Sequence, residues 1–151
     1  MSQQTFFSRL AEFIHHSPDR AGAAKRVAEA IAVERGYRWV GLYEVISTEI
    51  GMLACSVATL PAFPRFPVSN GLCGSVVATR SVVNVGNVQE DPRWLTTFGS
   101  TRSEIIVPVF GGDHASVIGL IDAGSDSLNA FTGEDEYFLN SCAPFLNPLF
   151  S

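Results

Sequence analysis

Two carboxylates and one thiol stand where chemistry is possible. Glu104 and Asp122 sit at the ends of otherwise apolar runs, Ser103-Glu104-Ile105-Ile106-Val107-Pro108-Val109 and Ile118-Gly119-Leu120-Ile121-Asp122. A carboxylate at the end of a buried strand must find a partner or a ligand, because an unpaired charge away from water is costly. Capping a loop or pairing with an arginine such as Arg102 answers that need, and so does a ligand carrying a cation. Alternation along a strand places Glu104, Ile106 and Pro108 on one face, and Ile118, Leu120 and Asp122 on one face of the next run. Cys73 lies between Gly71 and Gly74 at the start of a short helical segment. A helix N-terminus there favours a thiolate, against the plainer reading of a buried, inert cysteine. Cys55 and Cys142 read as core. Trp39, Tyr43, Phe63, Phe66 and Trp94 are aromatics on strands or loops, each a core residue or a pocket wall.

Other chemistries lack their residues. There is no G-x-S-x-G elbow, P-loop or G-x-G-x-x-G. The three cysteines form no C-x-x-C pair, and His15, His16 and His114 fall at no zinc-finger spacing from them. Neither a metal, a cofactor nor a disulfide framework is expected.

Around these residues the chain reads as alternating helical and extended stretches. Phe6, Leu10, Phe13 and Ile14 recur at helical spacing, which predicts an amphipathic helix over 3–16. Ser17-Pro18-Asp19 then breaks the chain, with Ser17 as cap and Pro18 at the first position of a second helix ending at Gly36. Trp39–Ile46 and Met52–Ala58 are β-prone, separated by a hairpin loop over 47–51. Thr59–Pro67, with three prolines, is expected as an ordered loop. Gly71–Arg80 reads as a short helix, Val82–Val85 as a short strand and 86–102 as a long loop, of the length that is usually functional or mobile. Glu104–Phe110 and Ala115–Asp122 form the strongest strand pair, joined by Gly111-Gly112-Asp113 and hence antiparallel. Thr132 with Asp135 has the form of a capping box opening a last helix, which Pro144 should kink or end and Pro148 should stop. The expected fold is α+β, one domain over 1–151: helices over 1–36, sheet and pocket loops over 37–131, and a C-terminal helix over 132–151.

Composition narrows the partners. The 151 residues are 46% hydrophobic and 17% charged, as in a packed globule, and the net charge is −5. Nine arginines and one lysine are spread along the chain against fifteen acidic residues. Nucleic acid binding, which needs a concentrated basic face, is not expected. No apolar run approaches the roughly 18–20 residues that span a bilayer, and the N-terminus lacks the pattern of a signal peptide, so no membrane association and a cytoplasmic location are expected.

Together, Gly71-Leu72-Cys73-Gly74-Ser75-Val76-Val77, Ser103–Val109, Ile118–Asp122 and Phe131-Thr132-Gly133-Glu134-Asp135 resemble a GAF domain, from about Trp39 to the last helix. The resemblance implies an antiparallel sheet flanked by helices, a small-molecule pocket beneath the loops, a sensor or signalling role and a homodimer. Within that family, Trp39-Val40-Gly41-Leu42-Tyr43, Cys73 and Ser103-Glu104-Ile105 resemble free methionine-(R)-sulfoxide reductases. The likeness makes Cys73 a redox cysteine and casts Trp39, Tyr43, Phe63, Trp94, Glu104 and Asp122 as the ligand site. The other two family cysteines correspond to Phe63 and Thr97, and a second aspartate to Gly124. Three readings follow: a degenerate relative binding a small, amino-acid-like molecule; a reductase using Cys73 with external thiols; or a dimerisation module with a vestigial pocket.

Overall fold

A computed structural model describes residues 3–150. Two helices open the chain. In α1 (Gln3–His16) Phe6 and Leu10 are fully buried, as their one-turn spacing requires. In α2 (Arg20–Arg35) the cap is Asp19 rather than Ser17: its carboxylate accepts from Gly22 N–H at 2.6 Å, while Ser17 Oγ, buried, has no hydrogen-bond partner. Gly36 ends α2 in the left-handed conformation, φ 70°.

The sheet has six strands: β1 (Trp39–Ile46), β2 (Glu49–Cys55), β3 (Arg65–Pro67), β4 (Val83–Val85), β5 (Ser103–Phe110) and β6 (Val117–Ser125). Their spatial order is β3-β2-β1-β6-β5-β4, and each neighbouring pair runs antiparallel. The first hairpin is tighter than the sequence suggests. Ile46 pairs with Glu49, so Ser47 and Thr48 alone turn the chain, Ser47 at φ 53°. The proline-rich stretch yields the edge strand β3, a position where Pro67 blocks no central ladder.

Alternation divides the sheet into two faces. Val40, Leu42, Ile105, Val107, Val109, Ile121 and Ala123 join the buried faces of α1, α2 and the last helix, α4 (Gly133–Phe150), in one core. The opposite face meets α3 (Gly71–Thr79) and the long loops in a second cluster that includes Tyr43, Cys73, Ile106 and Leu120. Neither Pro144 nor Pro148 stops α4, which continues to Phe150. Each proline removes one helical N–H donor. Burial of Leu139, Cys142, Ala143, Leu146 and Leu149 on one face offsets that loss, and Asn147 Nδ2 anchors the last turn to Phe110 O at 2.6 Å.

Candidate functional site

Register builds the site on the α3 side of the sheet. Across β1, β6 and β5 the rows read Trp39–Gly124–Glu104, then Gly41–Asp122–Ile106, then Tyr43–Leu120–Pro108. Glu104 and Asp122 therefore rise from adjacent rows of neighbouring strands onto the same face. They are 2% and 1% exposed, and among the described residues neither forms an ion pair. Glu104 Oε1 accepts from Trp94 Nε1 at 3.3 Å, and Asp122 Oδ2 accepts from the Cys73 thiol at 3.8 Å. Asp122 Oδ1 is buried with no partner.

Two glycines set Cys73 in this position. Gly71 adopts φ +74°, and a Cβ on Gly74 would lie 2.9 Å from Val68 O and 2.8 Å from Ser69 C. The start of α3 can thus press onto the preceding backbone and sink Cys73 to 5% exposure over Asp122. Burial, then the charges of Asp122 and Glu104, push the Cys73 thiol well above its ordinary pKa. Of the two readings the sequence offers for Cys73, its burial argues against the thiolate: desolvation and two carboxyl groups outweigh a dipole effect of about 1 kcal/mol. Asp122 is itself pushed well up, first by burial and then by the neighbouring Glu104 charge, and burial raises Glu104 as well. Burial and like charge both disfavour ionising the two carboxyl groups together.

Tyr43, Phe63, Phe66, Cys73, Glu104 and Asp122 line one small cavity of about 20 Å³, together with Leu95, Thr96 and Thr97 from the 86–102 loop. Phe63 stands at its mouth, 47% exposed. Trp94 reaches the cavity through Glu104 but itself lines the outer groove beside α3. Trp39 departs from the expected convergence on a single pocket. Its ring lies over Gly41, its Nε1 donates to Cys55 Sγ at 3.0 Å, and it lines a neighbouring cavity of about 200 Å³ with Phe98, Thr101 and Gly124. Phe66, one of the aromatics noted in the sequence, lines the small cavity, whereas Thr101 is a wall residue of the larger one that sequence reading did not single out; a hydroxyl in a loop carries no periodic signature. Cys142 is buried in the helix-side core. Among the described residues no three His, Cys, Asp or Glu side chains are grouped to hold a metal ion.

The loops over the site are 56–64 and 86–102, bridged by Ala62 N–H to Thr97 O at 2.9 Å. Arg93 fastens the second loop to α3, donating to Ser75 Oγ at 3.0 Å and to Asp91 Oδ2 at 2.7 Å.

An antiparallel sheet with α1, α2 and α4 on one face and α3 with a loop-covered cavity on the other defines an α+β domain of the class that carries pockets beneath its loops. The GAF domain family profile matches residues 17–145, and the chain belongs to the GAF domain family. GAF domain-containing protein A of Dictyostelium discoideum is 26% identical over 121 residues, 80% of this chain and 75% of that protein. The free methionine-R-sulfoxide reductase of Saccharomyces cerevisiae is 27% identical over 110 residues, 72% of this chain but only 61% of the enzyme. Among solved structures, a type II free methionine-R-sulfoxide reductase from Thermoplasma acidophilum superposes with a TM-score of 0.80 at 31% identity, covering 93% of this chain and 94% of that one. The Neisseria meningitidis free methionine-R-sulfoxide reductase, solved in complex with its substrate, gives 0.84 at 27% identity over 97% of this chain and 87% of that one.

Proposed function

We propose that this chain is a small-molecule-binding GAF protein whose loop-covered cavity takes a free amino-acid-like ligand, and that it is a catalytically degenerate relative of the reductases. One observation carries the binding reading: Asp122 Oδ1, buried and without a partner, faces a cavity it shares with Glu104. A buried acceptor left unmade costs about 1–3 kcal/mol, and an ammonium group supplies both the missing donors and the opposite charge. The cavity of about 20 Å³ holds at most a single water. Ligand entry therefore requires the 56–64 and 86–102 loops to lift.

Degeneracy rests on what surrounds Cys73. Thiol reduction of a sulfoxide transfers the oxygen to sulfur, leaving a thioether and a sulfenic acid, Cys73–SOH. A second thiol must then condense with that sulfenate, forming a disulfide and releasing water. Phe63 and Thr97, which the family resemblance sets at the positions of the other two cysteines, line the same cavity, and neither side chain can form a disulfide. The placement of Cys73 against Asp122 favours a second reading, a reductase whose sulfenate is resolved by an external thiol.

An NADPH-coupled thioredoxin assay with free methionine sulfoxide separates the two. The expected result is little or no turnover by wild type or Cys73→Ser, and a gain of activity in Phe63→Cys/Thr97→Cys. Robust wild-type turnover abolished by Cys73→Ser would replace the degenerate reading with the reductase.

A further inference from the structure

The two cavities beside the carboxyl pair share a wall, and the residue that makes room behind it is Gly124. Thr97 lines the small cavity and Thr101 the large one, and their hydroxyls lie 3.2 Å apart. Gly124, in the large cavity, pairs across β6 and β5 with Glu104 in the small one. The partition is thus two threonine side chains on the loop that must lift for any ligand to enter. Lifting it merges the cavities.

Nothing in the packing demands a glycine at 124. A Cβ there would sit 3.5 Å from Trp39 Cε3 and 3.7 Å from Thr101 Cγ2, ordinary contact distances, and the backbone is not left-handed. At Gly41 the same atom would meet the Trp39 ring at 2.7 Å. Glycine in a strand interior costs conformational entropy and buries no side chain. What its smallness leaves at 124 is the cavity of about 200 Å³, walled by the Trp39 and Phe98 rings and the Thr101 methyl, with the Arg38–Asp126 ion pair among its lining residues. At roughly 30 Å³ per water-sized group, that space takes about six or seven heavy atoms.

Resting on the amino-acid-binding reading above, we propose that Gly124 is a specificity-determining residue. The ligand's ammonium group meets the Glu104–Asp122 pair, and an uncharged substituent larger than the methyl of methionine sulfoxide fills the cavity against Trp39 and Phe98. The Trp39 and Phe98 rings favour an aromatic group there, beside a lining that also carries Thr59, Ser100 and the half-exposed Arg38–Asp126 pair.

Isothermal titration with L-methionine sulfoxide and S-benzyl-L-homocysteine sulfoxide (the benzyl compound) tests this, because the two are identical from the amino-acid head group to the sulfoxide and differ only in the substituent on sulfur. Wild type is expected to bind the benzyl compound at least tenfold more tightly. Gly124→Val, which fills the cavity, should bring the affinity ratio to one or below. Gly124→Ala, adding only the Cβ, should move the ratio the same way by a smaller factor and covers the case of a misfolded valine variant. Wild type binding methionine sulfoxide as tightly as the benzyl compound, or a ratio unmoved in both variants, overturns the assignment of Gly124 alone. Binding of neither compound by wild type overturns the amino-acid reading together with it.

Discussion

The carboxyl pair concentrates the site's electrostatics in a few atoms. An ordinary aspartate titrates near about 4, whereas burial and then Glu104 push Asp122 well above that range. The folded chain therefore holds a proton that the unfolded chain has lost as pH rises beyond about 4, and folding stability falls across that window. Asp122→Asn removes this linkage. Urea midpoints of wild type and variant, compared from pH 4 to 8, should diverge in favour of the variant; a constant gap would show that Asp122 titrates normally. The same substitution should lose ammonium ligands, since Asn brings no charge. The pairing of these carboxylates was legible before any coordinates, because strand alternation and the antiparallel hairpin put both on one face. The depth to which α3 sinks Cys73 against β6 was not legible, since it depends on how closely Gly74 approaches the preceding backbone. Nor was the placement of Trp39, which follows from its ring turning to lie over Gly41.

Among the elements, the junction between α2 and α4 rests on one carboxylate. Asp135 Oδ1 accepts from Tyr37 Oη at 2.7 Å and Arg35 Nη2 at 3.0 Å, and Oδ2 accepts from Thr132 N at 2.8 Å. Burial raises the Asp135 pKa, but the Thr132 N–H, the Tyr37 hydroxyl and the Arg35 guanidinium together bring it below the ordinary value. Asp135→Ala removes the cap and strands the Tyr37 hydroxyl, and should lower the unfolding free energy by roughly 2–3 kcal/mol in urea titrations. Asp135→Asn keeps acceptors and should lose less; equal losses would assign the effect to something other than hydrogen bonding. The capping box behind this junction was readable from Thr132 and Asp135 alone, as was Gly36 ending α2. Two local expectations failed for tertiary reasons. Pro144 and Pro148 are breakers by propensity, yet the buried face of α4 carries the helix past both. Ser17 has the chemistry of a cap, but Asp19 is the residue whose extended backbone, φ −145°, aims a carboxylate at the first turn.

On the scale of the whole molecule, the sheet separates what holds the chain folded from what admits a ligand. The face toward α1, α2 and α4 is a continuous apolar core in which Leu10, Ile31, Leu139 and Leu146 are fully buried. The other face carries buried carboxyl groups, cavities and two loops of mostly irregular backbone, features that lower the free energy of local opening. Stability and binding should therefore respond to different substitutions. Leu146→Ala should cost about 2–5 kcal/mol of unfolding free energy through a cavity on the helix side, while leaving the affinity for L-methionine sulfoxide within twofold of wild type. Amide hydrogen exchange should show the fastest opening in 56–64 and 86–102, the slowest in β1, β5 and β6, and a slowing on addition of L-methionine sulfoxide confined to those two loops and α3. Protection spreading evenly over α1 and α4 would instead mean that the ligand tightens the whole fold, and that the sheet does not insulate one face from the other.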